Sequence, residues 1–141
     1  MSALGDKIME ELFRGHHCSQ VMMLLSMKLR GIDDPFTIRA LGGLANGMFS
    51  QRTCGTLTGA ICALSSYFAR HSGEAEPSGY REPAKEFVEW FEGEYGSLEC
   101  RDLIGEDRAK MLEFCPGLME RSFEKLVEIL ESRGIDPAGG S

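Results

Sequence analysis

The sequence predicts an all-α protein, a single-domain bundle of about six helices around a buried central helix. Three observations lead there. Apolar residues recur at helical spacing through most of the chain. No alternating apolar–polar run is long enough to make a useful strand. One stretch, Gly47 to Arg70, changes from a turn-prone polar start (Ser50, Gln51, Arg52, Thr53) into a segment that is apolar nearly all round (Ile61, Cys62, Ala63, Leu64, Tyr67, Phe68). A helix without a polar face belongs in the middle of the packing. Gly55 and Gly59 are four apart, so they share one face and let another backbone come close.

The elements follow in order. Ile8, Met9, Leu12 and Phe13 form a stripe that makes residues 3 to 14 an amphipathic helix, ended by Gly15. Val21, Met22, Leu25 and Leu29 mark a second helix, with Cys18 and Ser19 at its N-terminal edge. Gly31 stops it, and Lys28 and Arg30 complement its negative end. Asp34 then caps a third helix and Pro35 takes its first position. Ile38, Leu41, Leu44, Ala45 and Met48 give that helix an inner face. The central helix runs from about Cys54 to Arg70, and the polar stretch 71–83, rich in Pro and Gly, reads as a surface loop. Ala84, Phe87, Val88, Phe91 and Tyr95 make a fifth helical face, with Trp90 off the stripe and Gly96 as its break. Cys100 opens a short turn, and Asp107 to Phe114 adds a helical turn or two. Cys115-Pro116 begins a last helix lined by Met119, Phe123, Leu126, Val127 and Leu130. Arg133-Gly134-Ile135 ends it as Arg30-Gly31-Ile32 ends the second: a basic residue, a glycine cap, then an apolar residue that folds back.

Totals narrow the function. A chain of 141 residues suits one domain, 1–141, with one core. A net charge of −7 argues against nucleic acid, whose phosphates need clustered Lys and Arg, and against an anionic membrane surface. No apolar run is long enough for membrane insertion, and the N-terminus lacks a signal peptide's order of basic, apolar and small residues. The expected location is cytoplasmic. There, five cysteines point to redox or metal chemistry rather than to a disulfide scaffold.

Cys18, Cys54, Cys100 and Cys115 each precede or open an expected helix. Free N–H groups and the positive end of the helix dipole stabilise a thiolate at such positions, which lowers its pKa. Cys62 differs. It lies inside the central helix, roughly 12 Å beyond Cys54 at about 1.5 Å per residue, too far for a disulfide, and is expected to be a small core residue. No Cys-x-x-Cys or zinc-finger spacing occurs, so a site built from the four must be assembled by tertiary folding. His16 and His17, beside Cys18, fit a solvated or capping pair better than metal ligands. The eight methionines fit core packing. Arg52 and Arg101 stand near Cys54 and Cys100, to tune them or to pair with acids. Ser19 and Ser50 lack a nucleophile's context, and no phosphate-binding loop is present.

Cys18, then Cys54-Gly55-Thr56-Leu57-Thr58-Gly59, then Cys100 and Cys115, resembles the redox-active family named for its motif, C_GCAxxG_C_C. The resemblance covers nearly the whole chain. It places the family's four defining cysteines on Cys18, Cys54, Cys100 and Cys115 and leaves Cys62 outside. The alanine expected after Cys54-Gly55 is Thr56 here. The implied chemistry is that of a thiol redox protein, a possible thiol–disulfide oxidoreductase, in which at least one pair of the four cycles between dithiol and disulfide with a redox partner protein. Cys54, which starts the central helix beside Gly55, is the expected reactive thiolate. Two alternatives remain. The same four thiolates could hold zinc or an iron–sulfur cluster. Or the chain could be a helical interaction domain, a homodimer through Trp90 or the central-helix glycines, with inert cysteines.

Overall fold

The computed structural model describes residues 2–68 and 73–139. Among these residues the fold is all-α, with seven α-helices and no strand: α1 (Ala3–Phe13), α2 (Cys18–Arg30), α3 (Pro35–Leu41), α4 (Gly55–Ser66), α5 (Glu82–Tyr95), α6 (Cys100–Leu103) and α7 (Arg108–Ser132). None of these helices is long and apolar enough to cross a membrane.

Local chemistry sets most boundaries. Ser2 caps α1, its Oγ accepting from the Gly5 amide at 2.9 Å. Asp34 caps α3, accepting from the Thr37 amide at 3.2 Å, with Pro35 directly after it. Gly31 is left-handed, at φ 67°, and lets the Ile32 amide reach back to the Met27 carbonyl at 2.9 Å. Gly134, at φ 73°, repeats the device through Ile135 and Leu130. Two boundaries depart from expectation. The third helix stops at Leu41 and does not reach Met48, because Gly42 and Gly43 lead into a 3-10 turn and then a left-handed segment. The last helix does not begin at Cys115: α7 starts at Arg108, capped by Asp107, and runs through Pro116. Proline removes the bond to the carbonyl four residues back. Here that residue is Leu112, which is 70% exposed, so water can take the vacant acceptor. α4 leads into turn residues to Phe68; the expected end at Arg70 and the first residues of the following loop lie outside the described residues.

α4 is the middle of the molecule, packed on α2, α5 and α7. Its Leu57, Ala60, Ala63 and Leu64 meet Val21 and Met22 of α2, Phe87 and Phe91 of α5, and Leu126, Ile129 and Leu130 of α7 in one buried cluster. The closest approach is to α2. A Cβ on Gly59 would stand 2.4 Å from the Ser19 carbonyl oxygen and 2.8 Å from its Cα; one on Gly55 would stand 2.8 Å from Cys18 Sγ. The neighbours at Gly59 are backbone and cannot swing aside. The glycine face is therefore used within the chain, against α2. Ser19 completes the contact, its buried hydroxyl donating to the Leu41 carbonyl at 2.8 Å. Trp90 is half-buried, packed edge-on against Phe87 and Tyr95 with the Arg121 guanidinium 5.6 Å from its ring centre.

One buried carboxylate ties α1 to α2. Glu11 is 1% exposed and lies 2.7 Å from Lys28 Nζ, 2.9 Å from Arg14 Nη1 and 3.0 Å from His16 Nδ1. Burial pushes its pKa up, but Lys28, His16 and Arg14 outweigh burial and hold it below the ordinary value of 4.5.

Two outcomes are expected. Gly59→Ala should destabilise the fold by about 3 kcal/mol in urea unfolding, since neither backbone can yield. Glu11 has a depressed pKa, so its contribution is present above pH 4.5 and lost as pH falls below that. Glu11→Gln should lose about 2 kcal/mol at neutral pH and flatten the acid limb of the stability profile.

Candidate cysteine redox site

Four separate stretches of chain deliver the four cysteines to one region. Cys18 is the first residue of α2, after His17 in the capping position. The His17 amide donates to Gln20 Oε1 at 2.9 Å, and Gln20 Nε2 donates to the Ile38 carbonyl at 2.9 Å, which fixes the start of α2 against α3. Cys54 is the N-cap of α4 and Cys100 the first residue of α6. A short antiparallel bridge between Thr53 and Glu99 holds these two helix starts side by side. Its hydrogen bonds run from the Cys54 amide to the Leu98 carbonyl at 2.8 Å and from the Cys100 amide to the Arg52 carbonyl at 2.6 Å. Cys18 joins them through its contact with Gly55, and Cys115 approaches on α7. Cys115 is thus within a helix and not at its start, so the dipole argument does not reach it.

The thiols are electrostatically connected. Burial pushes Cys54 up to about 11; the Leu57 and Thr56 amides oppose this without forming a capping hydrogen bond, and the charges of Cys18 and Cys100 add to it. Cys115 is pushed up to about 12 by burial, then by Cys18, Cys54 and Cys100. Cys100 is raised by burial and by Cys18. The lowering expected at the α4 start is therefore reversed at Cys54, where burial exceeds what the helix end supplies. Cys18 is half-buried, and its charge raises each of the other three. Cys62 lies two turns into α4, half-buried against the core, and only burial raises it.

The segment joining α3 to α4 forms a strap beside the cluster. Asn46, Gly47, Met48, Phe49 and Gln51 all have left-handed φ, between 50° and 62°. Four of them are not glycine, at a cost of about 1 kcal/mol each. Gly47 is required: a Cβ there would stand 2.4 Å from the Arg52 amide nitrogen. The strap is pinned to α6. Gln51 Nε2 donates to the Gly105 carbonyl at 2.9 Å, Arg101 Nε donates to the Gln51 carbonyl at 3.4 Å, and Cys100 Sγ lies 3.2 Å from Asn46 Oδ1. Phe49 is 61% exposed, with its ring edge-on to His17 at 5.8 Å. His16 is engaged with Glu11. Thr56 is buried in the first turn of α4. Helical periodicity could not find Asn46 or Gln51. The available signal was the Asn46-Gly47 pair, which favours left-handed backbone.

Among the described residues no group of three or more His, Cys, Asp or Glu side chains is arranged to hold a metal ion.

A model of the family described as "Putative redox-active protein (C_GCAxxG_C_C)" matches residues 16–129. The chain belongs to this family. No curated protein and no solved structure shows a significant match.

The raised thiol pKa values carry a sign. A buried thiol that keeps its proton above its unfolded value stabilises the fold fully below about pH 9 and loses that contribution as pH rises further. The reduced protein should therefore lose stability between pH 9 and 11 as Cys54 is forced to ionise. Cys18→Ser should move the titrations of Cys54, Cys100 and Cys115 to lower pH, read by thiolate absorbance.

Proposed function

We propose that the chain is a thiol–disulfide redox protein in which Cys18 attacks and Cys54 resolves. One observation carries this reading: Cys18 is half-exposed, and its charge is felt by Cys54, Cys100 and Cys115. This moves the attacking role from Cys54, which burial holds at about 11, to Cys18. The substrate class is a disulfide on a protein or small molecule.

The exchange balances as follows. The Cys18 thiolate attacks one sulfur of the substrate disulfide. The S–S bond breaks, and one substrate thiolate leaves and takes a proton from water. Cys18 is then in a mixed disulfide and no longer carries charge, so its raising effect on Cys54 disappears. Cys54 releases its proton to water, helped by the Leu57 and Thr56 amides, and attacks Cys18 Sγ. The second substrate thiol leaves. The chain has gained one disulfide and the substrate two electrons and two protons; the reverse sequence oxidises a dithiol.

The test is exposure of the reduced protein to oxidised glutathione, followed by mass measurement of the intact chain. Wild type should pass through a glutathione adduct to a form lacking two hydrogens. Cys54→Ser should accumulate the adduct on Cys18, and Cys18→Ser should slow the reaction at least tenfold. An unchanged rate in Cys18→Ser would sink the assignment.

A further inference from the structure

The strap beside the cluster holds a polar contact that the exchange does not use. Asn46 stands at φ 50°, ψ 42°, left-handed, with its Oδ1 3.2 Å from Cys100 Sγ. Carbon-branched residues tolerate that backbone poorly, whereas asparagine and glycine adopt it. Asn46 therefore fills two requirements together: a left-handed backbone and an acceptor for a thiol proton. The rest of the strap keeps it in place. Gly47 has no room for a side chain, Gln51 is bonded to Gly105, and the Cys100 amide is bonded to the Arg52 carbonyl. The sulfur is thus fixed from its own backbone and the acceptor from the strap. Four left-handed side-chain-bearing residues in six positions is strain concentrated next to the thiols, the kind of investment that accompanies a functional contact.

We propose that Asn46 is a positioning residue that keeps Cys100 in its thiol form and so withholds it from the first exchange. The assignment rests on the dithiol reading above and adds regulation to that site. A thiol that donates to a carbonyl oxygen is stabilised as the neutral species, and its thiolate would face that same oxygen. Cys100 sits beside Cys54 across the Thr53–Glu99 bridge. Without such a hold it would compete with Cys54 for the mixed disulfide on Cys18. With the hold, Cys54 resolves first and Cys100 remains reduced.

The experiment is brief iodoacetamide alkylation of the reduced full-length chain across a pH series, with the Cys100 and Cys62 peptides quantified by mass spectrometry. Asn46→Gly keeps the left-handed backbone and deletes the acceptor. It should move the Cys100 midpoint to lower pH and raise its alkylation about threefold at any pH below the midpoint, with Cys62 unchanged. Asn46→Asp keeps an acceptor and adds a negative charge, and should move the Cys100 midpoint to higher pH. A change in accessibility alone would alter the high-pH plateau and not the midpoint. Wild-type Cys100 midpoints in both variants, or a plateau change without a midpoint change, would overturn the proposal. If Asn46→Gly fails to fold, Asn46→Ala, which also deletes the acceptor, decides by the same midpoint. Failure of the dithiol reading is separate: wild type would then form no glutathione adduct at Cys18, whatever the Cys100 profile.

Discussion

The backbone contact between α2 and α4 is the constraint on which the site depends. At Gly59 the two helices are so close that even a methyl group would overlap the Ser19 backbone. Because α2 begins at Cys18, that closeness also seats the Cys18 sulfur over Gly55, one residue past Cys54. The glycines thus set a distance between thiols as well as between helices. The remaining placements build on this one. The Thr53–Glu99 bridge brings Cys100 alongside Cys54, and α7, packed on α4, brings Cys115.

Within this cluster burial and the helix dipole act in opposite directions on the same sulfur. A helix end supplies about 0.3–1 kcal/mol to a nearby anion, rising to about 2 kcal/mol in favourable sites, whereas burial can move a pKa by several units. At Cys54 burial prevails, even with two amides turned towards the sulfur. Cys62 shows burial acting without any neighbouring charge. The four family cysteines therefore differ in exposure and mutual charge more than in their position along helices. That difference separates the half-buried Cys18 and Cys115 from the buried Cys54 and Cys100.

The helices and their ends were legible because their causes are local. Asp34 and Pro35 at a helix start, Gly31 and Gly134 at helix stops, and apolar residues at helical spacing act within a few residues of one another. The family cysteines were legible as a set from their spacing around Cys54-Gly55, and Gly55 and Gly59 announced a close neighbour without saying which. Two features were not readable, for physical reasons. Residues 41–48 have a helix's apolar spacing, yet Gly42, Gly43 and Gly47 remove the backbone restriction that would enforce it, and contacts to Arg52 and α6 decide the path. Pro116 is ordinarily a helix start; here the residue four back, Leu112, is exposed, and the helix continues through the proline. The thiol pKa directions were also out of reach, because burial is a property of the whole packing.

Pro116 marks a boundary of another kind. On its C-terminal side α7 carries Leu118, Met119, Phe123, Leu126, Ile129 and Leu130 into the core. On its N-terminal side residues 108–113 are almost all exposed. One continuous helix therefore joins a firmly packed half to a lightly packed one, with a missing hydrogen bond near the seam. Elements with few buried contacts open locally at small free energy. The first two turns of α7 can fray while the second half stays docked, and Cys115 lies at the inner edge of that fraying segment. Hydrogen exchange along α7 should then step sharply at Pro116, and Cys115, half-buried at that seam, becomes a thiol whose access to solvent is governed by helix opening and not by global unfolding.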